Sequence, residues 1–176
     1  VGHQDQYLCA LGGMLNLKFC DQGVEVNPID SNGLQDNLML FYTGVRHTGS
    51  YDVIEEQLSN IKQTAPVLKE MHSLVYDGID ALDKGSEFGK LLDKTWGLKR
   101  KLAEHISTPE IDSVYDKALR AGAIGGKLLG AGNGGFMLLY VERDRQDDVE
   151  KAIGLARVPF KFEDEGTQVI YRENDD

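Results

Sequence analysis

The sequence predicts an α+β protein, an antiparallel sheet with a helical layer on one face. Three observations carry this. Before residue 45, apolar residues alternate with polar ones in short runs. Between about Tyr51 and Gly122 they recur at helical spacing instead. The continuous apolar runs Leu38–Tyr42 and Phe136–Val141 flank that helical stretch and suit buried strands.

Taken in order, Asp5 to Leu11 reads as a short helix stopped by Gly12-Gly13. Leu15, Leu17 and Phe19 alternate with Asn16 and Lys18 as a half-buried strand, and Asp21-Gln22-Gly23 makes a turn. Val24 to Asn27 alternates again, so the two runs form a hairpin. Ser31-Asn32-Gly33 turns the chain into the strand Leu38–Tyr42, which delivers the polar loop Thr43 to Ser50. Val53, Leu58 and Ile61 mark one amphipathic helix, and Pro66 suits the first turn of the next, which carries Leu68, Met71, Leu74, Val75, Ile79 and Leu82. Phe88, Leu91, Leu92, Trp96, Leu98 and Leu102 give a third helix despite Gly97. Pro109 starts a fourth, with Ile111, Val114, Tyr115 and Leu119 inward and an end near Gly122. Phe136–Val141 is a buried strand. Asp144 is expected to cap a helix running to about Ala156. Val158 to Phe162 and Val169 to Tyr171 are expected to close the sheet as strands. With no repeats and no linker, residues 1–176 read as one domain.

The formal net charge of -10 and a pI near 4.8 argue against a nucleic-acid surface and against anionic membranes. A local positive site for a small anion stays compatible with that balance. No apolar run approaches the roughly 18 residues of a membrane span, and no signal peptide is visible. Cys9 and Cys20 form neither a disulfide framework nor a metal pattern, which suits free thiols in a cytoplasmic protein. The chain opens on Val1, as a segment of something longer would.

The strongest motif is the run Gly125-Gly126-Lys127-Leu128-Leu129-Gly130-Ala131-Gly132-Asn133-Gly134-Gly135-Phe136. Such a density of glycine costs conformational entropy, so it implies backbone close to something. Two readings follow: a loop whose bare N–H groups meet a phosphate, or a tight bend packed with no room for side chains. The G-x-G-x-x-G match at Gly130, Gly132 and Gly135 is a poor dinucleotide fingerprint, because the glycines lead into a strand rather than a helix. It is not a Walker loop either, since no Lys-Ser or Lys-Thr follows. Asn133 tolerates a left-handed backbone better than most residues.

Asp5 reads as a general base for an attacking hydroxyl, or simply as an aspartate stabilised by a helix N-terminus. Arg46 and His47, among Thr43, Thr48 and Ser50, form a donor-rich loop suited to a substrate phosphate, or a solvated connection. Trp96 with Lys99, Arg100 and Lys101 reads as a packed indole beside a charged face. His72 and His105 lack metal-ligand spacing, and no residue is assigned to a metal.

Together these motifs resemble those of the GHMP kinases (galactokinase, homoserine kinase, mevalonate kinase and phosphomevalonate kinase). Gly2-His3-Gln4-Asp5-Gln6 resembles the family's aspartate motif, and Lys127 to Phe136 is similar to its third, C-terminal motif. Tyr42 to Arg46, Trp96 to Lys101 and Pro109 to Asp112 look like the sugar-phosphate branch, the D-glycero-D-manno-heptose 7-phosphate kinases. The resemblance implies ATP- and Mg2+-dependent phosphorylation of a sugar hydroxyl, for that branch the anomeric hydroxyl of a heptose 7-phosphate. It implies Asp5 as catalytic base and Gly130, Ala131, Gly132, Asn133, Gly134 and Gly135 as the nucleotide-phosphate loop. Gln4, Thr43, Gly44 and Arg46 are the implied substrate contacts.

The family's second motif, a P-x-x-x-G-L-G-S-S-A loop opening a helix, does not occur in this sequence. The chain therefore reads as the C-terminal part of such a kinase, whose partner is the N-terminal half that carries the ATP loop. Alone it is expected to be inactive. The alternative from another class is a non-catalytic small-molecule-binding or regulatory module with the same fold.

Overall fold

The computed structural model describes residues 3–31, 33–45, 50–82 and 84–171. They fold as two compact units, the first drawn from residues 1–31 and 161–176, the second from 32–160.

In the first unit, helix α1 (Gln4–Leu11) is followed by strands β1 (Leu15–Cys20) and β2 (Gly23–Pro28). The strands form an antiparallel hairpin in which Leu17 faces Val26 and Phe19 faces Val24. This is the alternation of the sequence converted into cross-strand apolar pairs. On the other face Lys18 and Glu25 make an exposed ion pair at 3.2 Å. Tyr7 of α1 packs edge-on against Phe19, with ring centroids 5.8 Å apart. Gly12 caps α1 with a φ of 71°, and a Cβ there would lie 2.2 Å from the Gly166 nitrogen. The segment after residue 160 therefore crosses the end of α1 at backbone contact.

The second unit holds a three-stranded antiparallel sheet ordered β3-β5-β4, with β3 Leu38–Gly44, β4 Ala123–Leu128 and β5 Gly135–Val141. Its helices are α2 (Ser50–Ser59), α3 (Ile61–Ala81), α4 (Ser86–Lys99), α5 (Pro109–Ala121) and α6 (Gln146–Ile153). One sheet face contributes Met39, Phe41, Leu128, Met137, Leu139 and Val141 to the core, where they meet Val53, Trp96, Ile106, Ile111, Tyr115 and Val149. The α+β, antiparallel expectation holds. Among the described residues, no helix is long and apolar enough to cross a membrane.

α5 begins and ends as its sequence dictates. The Thr108 hydroxyl accepts from the Ile111 N–H at 3.3 Å, Pro109 sits in the first turn, and Gly122 closes the helix with a φ of 119°. α4 and β4 meet unusually closely: a Cβ on Gly125 would lie 2.0 Å from the Gly89 carbonyl oxygen, and one on Gly89 2.9 Å from Ile124 and Tyr140. Tyr115 of α5 fastens this contact. Its hydroxyl donates to the Asp93 carboxylate at 2.7 Å, with the Gly126 carbonyl at 3.3 Å. Burial and the neighbouring carboxylate push its pKa well above the usual tyrosine value.

Four local expectations are corrected. Residues 123–128 form a strand, although Gly125 and Gly126 read as part of a loop. Pro66 lies in the second turn of α3, because that helix starts at Ile61. Asp144 does not cap α6. It lies in a 3-10 turn, Arg143–Arg145, and α6 ends at Gly154 rather than near Ala156. Val158–Phe162 and Val169–Tyr171 are not strands. Arg157 makes a single bridge to Phe41 and Val158 donates to Leu40 at 2.7 Å, but Pro159 has no N–H to carry the ladder on. Val169, Ile170 and Tyr171 stay exposed.

Candidate functional site

The glycine run divides into two structural roles. Gly125 and Gly126 lie within β4. Residues 130–134 form the connection to β5, closed at its base by the Leu129 N–H donating to the Phe136 carbonyl at 2.8 Å. In this connection and at the first residue of β5, positive φ recurs at Gly130 (73°), Gly132 (125°), Asn133 (62°), Gly134 (133°) and Gly135 (108°). Ordinary L-residues avoid that region, which accounts for the composition. Asn133 is the non-glycine residue that tolerates it, as the sequence suggested.

The loop is pinned rather than loose. Gly132, Asn133 and Gly134 are buried, while Gly130 is exposed. A Cβ on Gly132 would lie 2.8 Å from the Ile106 carbonyl oxygen. The Asn133 N–H donates to that same oxygen at 2.9 Å, and its side-chain amide donates to the His105 carbonyl at 3.2 Å. From the last turn of α4, the Lys99 ammonium donates to the Gly130 carbonyl, with the Leu128 carbonyl at 3.5 Å. Lys127, on the strand that delivers the loop, has its pKa lowered by burial.

β-Pairing brings two of the expected substrate residues to this loop. Gly44 pairs with Gly135 across a bulge, and the Thr43 hydroxyl donates to the Gly135 carbonyl at 3.1 Å. Beside them the Tyr42 and Phe136 rings meet at a tilt of 51°, with centroids 5.3 Å apart, and both are exposed. Arg46 lies outside the described residues. Gln4 and Asp5 belong to the other unit, on the exposed first turn of α1, where the carboxylate sits at the favourable end of the helix dipole. Trp96 is fully buried, and Arg100 lies over its ring at 5.6 Å while pairing with Asp112 at 3.1 Å. The packed-indole reading of that stretch therefore holds for Arg100, but Lys99 is taken up by the loop.

Bare backbone held in positive φ, with the ammonium of Lys99 at its edge, fits one wall of a phosphate site. Among the described residues, no three His, Cys, Asp or Glu side chains gather as metal ligands. Three loop-fixing features escaped the sequence reading: Lys99, the turn Glu104–Ile106, and Glu56 behind that turn.

The comparisons agree with this geometry. The family model described as GHMP kinases C terminal matches residues 79–156, which span α4, α5, β4, the glycine loop, β5 and α6. A D-glycero-alpha-D-manno-heptose 7-phosphate kinase of Campylobacter jejuni is 32% identical over 164 residues, 86% of this chain and 48% of that protein. The solved structure of a D-glycero-D-manno-heptose 1-phosphate kinase from Bacteroides thetaiotaomicron superposes with a TM-score of 0.59 at 29% identity, covering 94% of this chain and 47% of that one. A mevalonate kinase structure matches in fold, with a TM-score of 0.71 at 23% identity over 88% of this chain and 49% of its own. The chain thus spans about half the length of the relatives it matches. Through residues 79–156 the chain matches the GHMP kinase C-terminal domain.

Proposed function

We propose that residues 1–176 are the C-terminal part of an ATP- and Mg2+-dependent sugar-phosphate kinase acting in the cytoplasm, with a heptose 7-phosphate as substrate and its anomeric hydroxyl as the acceptor. The observation that carries this reading is the pinned, positive-φ loop at 130–135 with Thr43 and Gly44 at its exit. The 32% identity to a heptose 7-phosphate kinase supports the choice of sugar.

ATP, when bound, supplies the transferred phosphoryl group. In this reading residues 130–135 form one wall of the phosphate site, where the glycine backbone and the Lys99 ammonium at its edge favour negative charge. Asp5 orients the attacking hydroxyl and takes its proton, and Gln4, Thr43, Gly44 and Arg46 position the sugar phosphate. The remaining wall and the magnesium ligands are assigned to an N-terminal half that precedes Asp5 in the longer protein. No magnesium ligand is assigned to this chain.

The test is an ADP-release assay on the longer protein with a panel of sugar phosphates, mevalonate and galactose. Activity on heptose 7-phosphate, with a fall in kcat of at least about 100-fold for Asp5→Asn, is expected. Turnover of mevalonate or galactose alone would reject the sugar-phosphate assignment. Full activity in Asp5→Asn would reject the base. Inertness toward the whole panel, with tight binding of one member, would favour the non-catalytic module.

A further inference from the structure

The glycine loop does not hold its shape alone. Asn133 leans on the backbone of a single 3-10 turn, Glu104–Ile106, and that turn is fixed from behind by one carboxylate of α2. Glu56 Oε1 accepts the Glu104 N–H at 2.7 Å, and Oε2 accepts the His105 N–H at 3.4 Å and lies 2.9 Å from the His105 Nδ1. Just past the end of α2, Asn60, the N-cap residue of α3, donates its side-chain amide to the Leu102 carbonyl at 3.4 Å. One turn before Glu56, Val53 is fully buried in the core. Val53 and Glu56 lie on one face of α2 and Asn60 follows at its end, so this stretch of chain ties down Leu102, Glu104 and His105.

We infer that Glu56 is a positioning residue of the glycine loop, acting through the Glu104–Ile106 turn and Asn133 to set the geometry in which the loop meets a nucleotide phosphate. This rests on the kinase reading for the identity of the ligand. A carboxylate accepting backbone N–H groups makes stronger bonds than a neutral acceptor. Its loss frees the turn, and the turn is what Asn133 and Gly132 rest on.

The experiment uses amide hydrogen exchange by mass spectrometry on the full chain, comparing Glu56→Ala, Glu56→Gln and Asn133→Gly with the wild type. Asn133→Gly keeps the backbone free to adopt a φ of 62° and removes the side-chain amide that donates to the His105 carbonyl. Peptides covering residues 130–134 are expected to exchange faster in both variants, at least about tenfold in Glu56→Ala, where charge-assisted hydrogen bonds are lost, and about fivefold in Asn133→Gly, where a neutral one is. Peptides covering 136–141 are expected to stay at the wild-type rate. Glu56→Gln, which keeps an acceptor oxygen, is expected to fall between. Unchanged exchange at 130–134 in both variants overturns the inference, and so does an equal rise across β4 and β5, which would mark general destabilisation. In the longer kinase, Glu56→Ala is expected to raise KM for Mg-ATP about fivefold or more while KM for the sugar phosphate holds. If the wild type phosphorylates nothing, the kinase reading fails while the exchange result still decides the positioning role.

Discussion

Replacing Gly125 by alanine tests the claim that α4 and β4 touch backbone to backbone. The new Cβ would sit 2.0 Å from the Gly89 carbonyl oxygen and 2.9 Å from the Asp93 nitrogen. Ordinary contact begins beyond 3.4 Å. Neither neighbour is a flexible side chain, so α4 has to retreat as a body or β4 has to bend. Overpacking of a closed core costs about 1–3 kcal/mol, and rigid neighbours place this substitution at about the upper end. A chain of this size loses about 2–4 °C of Tm per kcal/mol, so the melt should fall by roughly 6–12 °C. Gly97, in the same helix, has nothing within 4 Å of its would-be Cβ. Gly97→Ala should therefore raise stability by about 0.4–1 kcal/mol, through the lost freedom of the unfolded chain. Trp96 is the single tryptophan, and it is fully buried in the second unit. Its fluorescence during thermal unfolding follows that unit alone. Gly125→Ala melting within a degree of wild type, or Gly97→Ala falling as far as Gly125→Ala, would refute the close approach.

Three more outcomes follow from the same structure. On the proposed kinase reading, Arg46→Ala in the longer protein should raise KM for the sugar phosphate more than KM for ATP, and an unchanged sugar-phosphate KM would remove Arg46 from the proposed site. Burial acts to raise the Glu56 pKa, but the hydrogen bonds from Glu104 and His105 outweigh it and hold the carboxyl below its ordinary 4.5. A depressed carboxylate contributes stability above its unfolded pKa and loses it as pH falls through the folded one. The Tm deficit of Glu56→Gln should therefore be full at pH 7 and shrink below about pH 4.5; a deficit independent of pH would contradict the ionised role. Finally, the 176-residue chain by itself should bind Mg-ATP more weakly than micromolar in titration calorimetry at physiological salt, since it offers one phosphate wall under a net charge of -10. Micromolar binding, about -8 kcal/mol, would show that the loop suffices without a second anion cradle.

What was legible in the sequence is what local physics decides. Leu38–Tyr42 and Phe136–Val141 are continuous apolar runs, and they are central or paired strands with a buried face. The start and end of α5 follow from Thr108-Pro109 and Gly122. β4 was hidden because Gly125 and Gly126 carry no strand propensity; Gly125 is glycine for the sake of α4 and Gly126 for the sake of β5, and no local pattern announces either contact. The tail was misread for the opposite reason. Val169-Ile170-Tyr171 has strand-like composition, but composition does not supply a partner with free backbone groups. The loop itself was visible, and Asn133 stood out within it. Its supports were not, because Glu56 and His105 are separated by 49 residues and His105 and Asn133 by 28. Only a fold brings such residues together.

The sequence left two explanations for its glycines, close packing and phosphate binding, and the structure shows two constraints along the run, one of space and one of backbone conformation. At Gly125 and Gly126 the φ values are ordinary and the obstacle to a side chain is space, since a Cβ would meet Gly89 on one and Leu138 on the other. At Gly130, Gly134 and Gly135 the demand is conformational, a positive φ. Gly132 carries both constraints, with a φ of 125° and Ile106 at 2.8 Å from its would-be Cβ. Gly125 fixes β4 against α4, whose last turn carries Lys99 at the loop, and Gly126 fixes β4 against β5. Gly132 and Asn133 fix the loop against the turn that Glu56 holds. The packing glycines are thus the reason the conformational glycines are held in one shape. A loop preorganised in this way has less entropy to lose when an anion arrives, which is how a run so costly in the unfolded chain can serve a binding site.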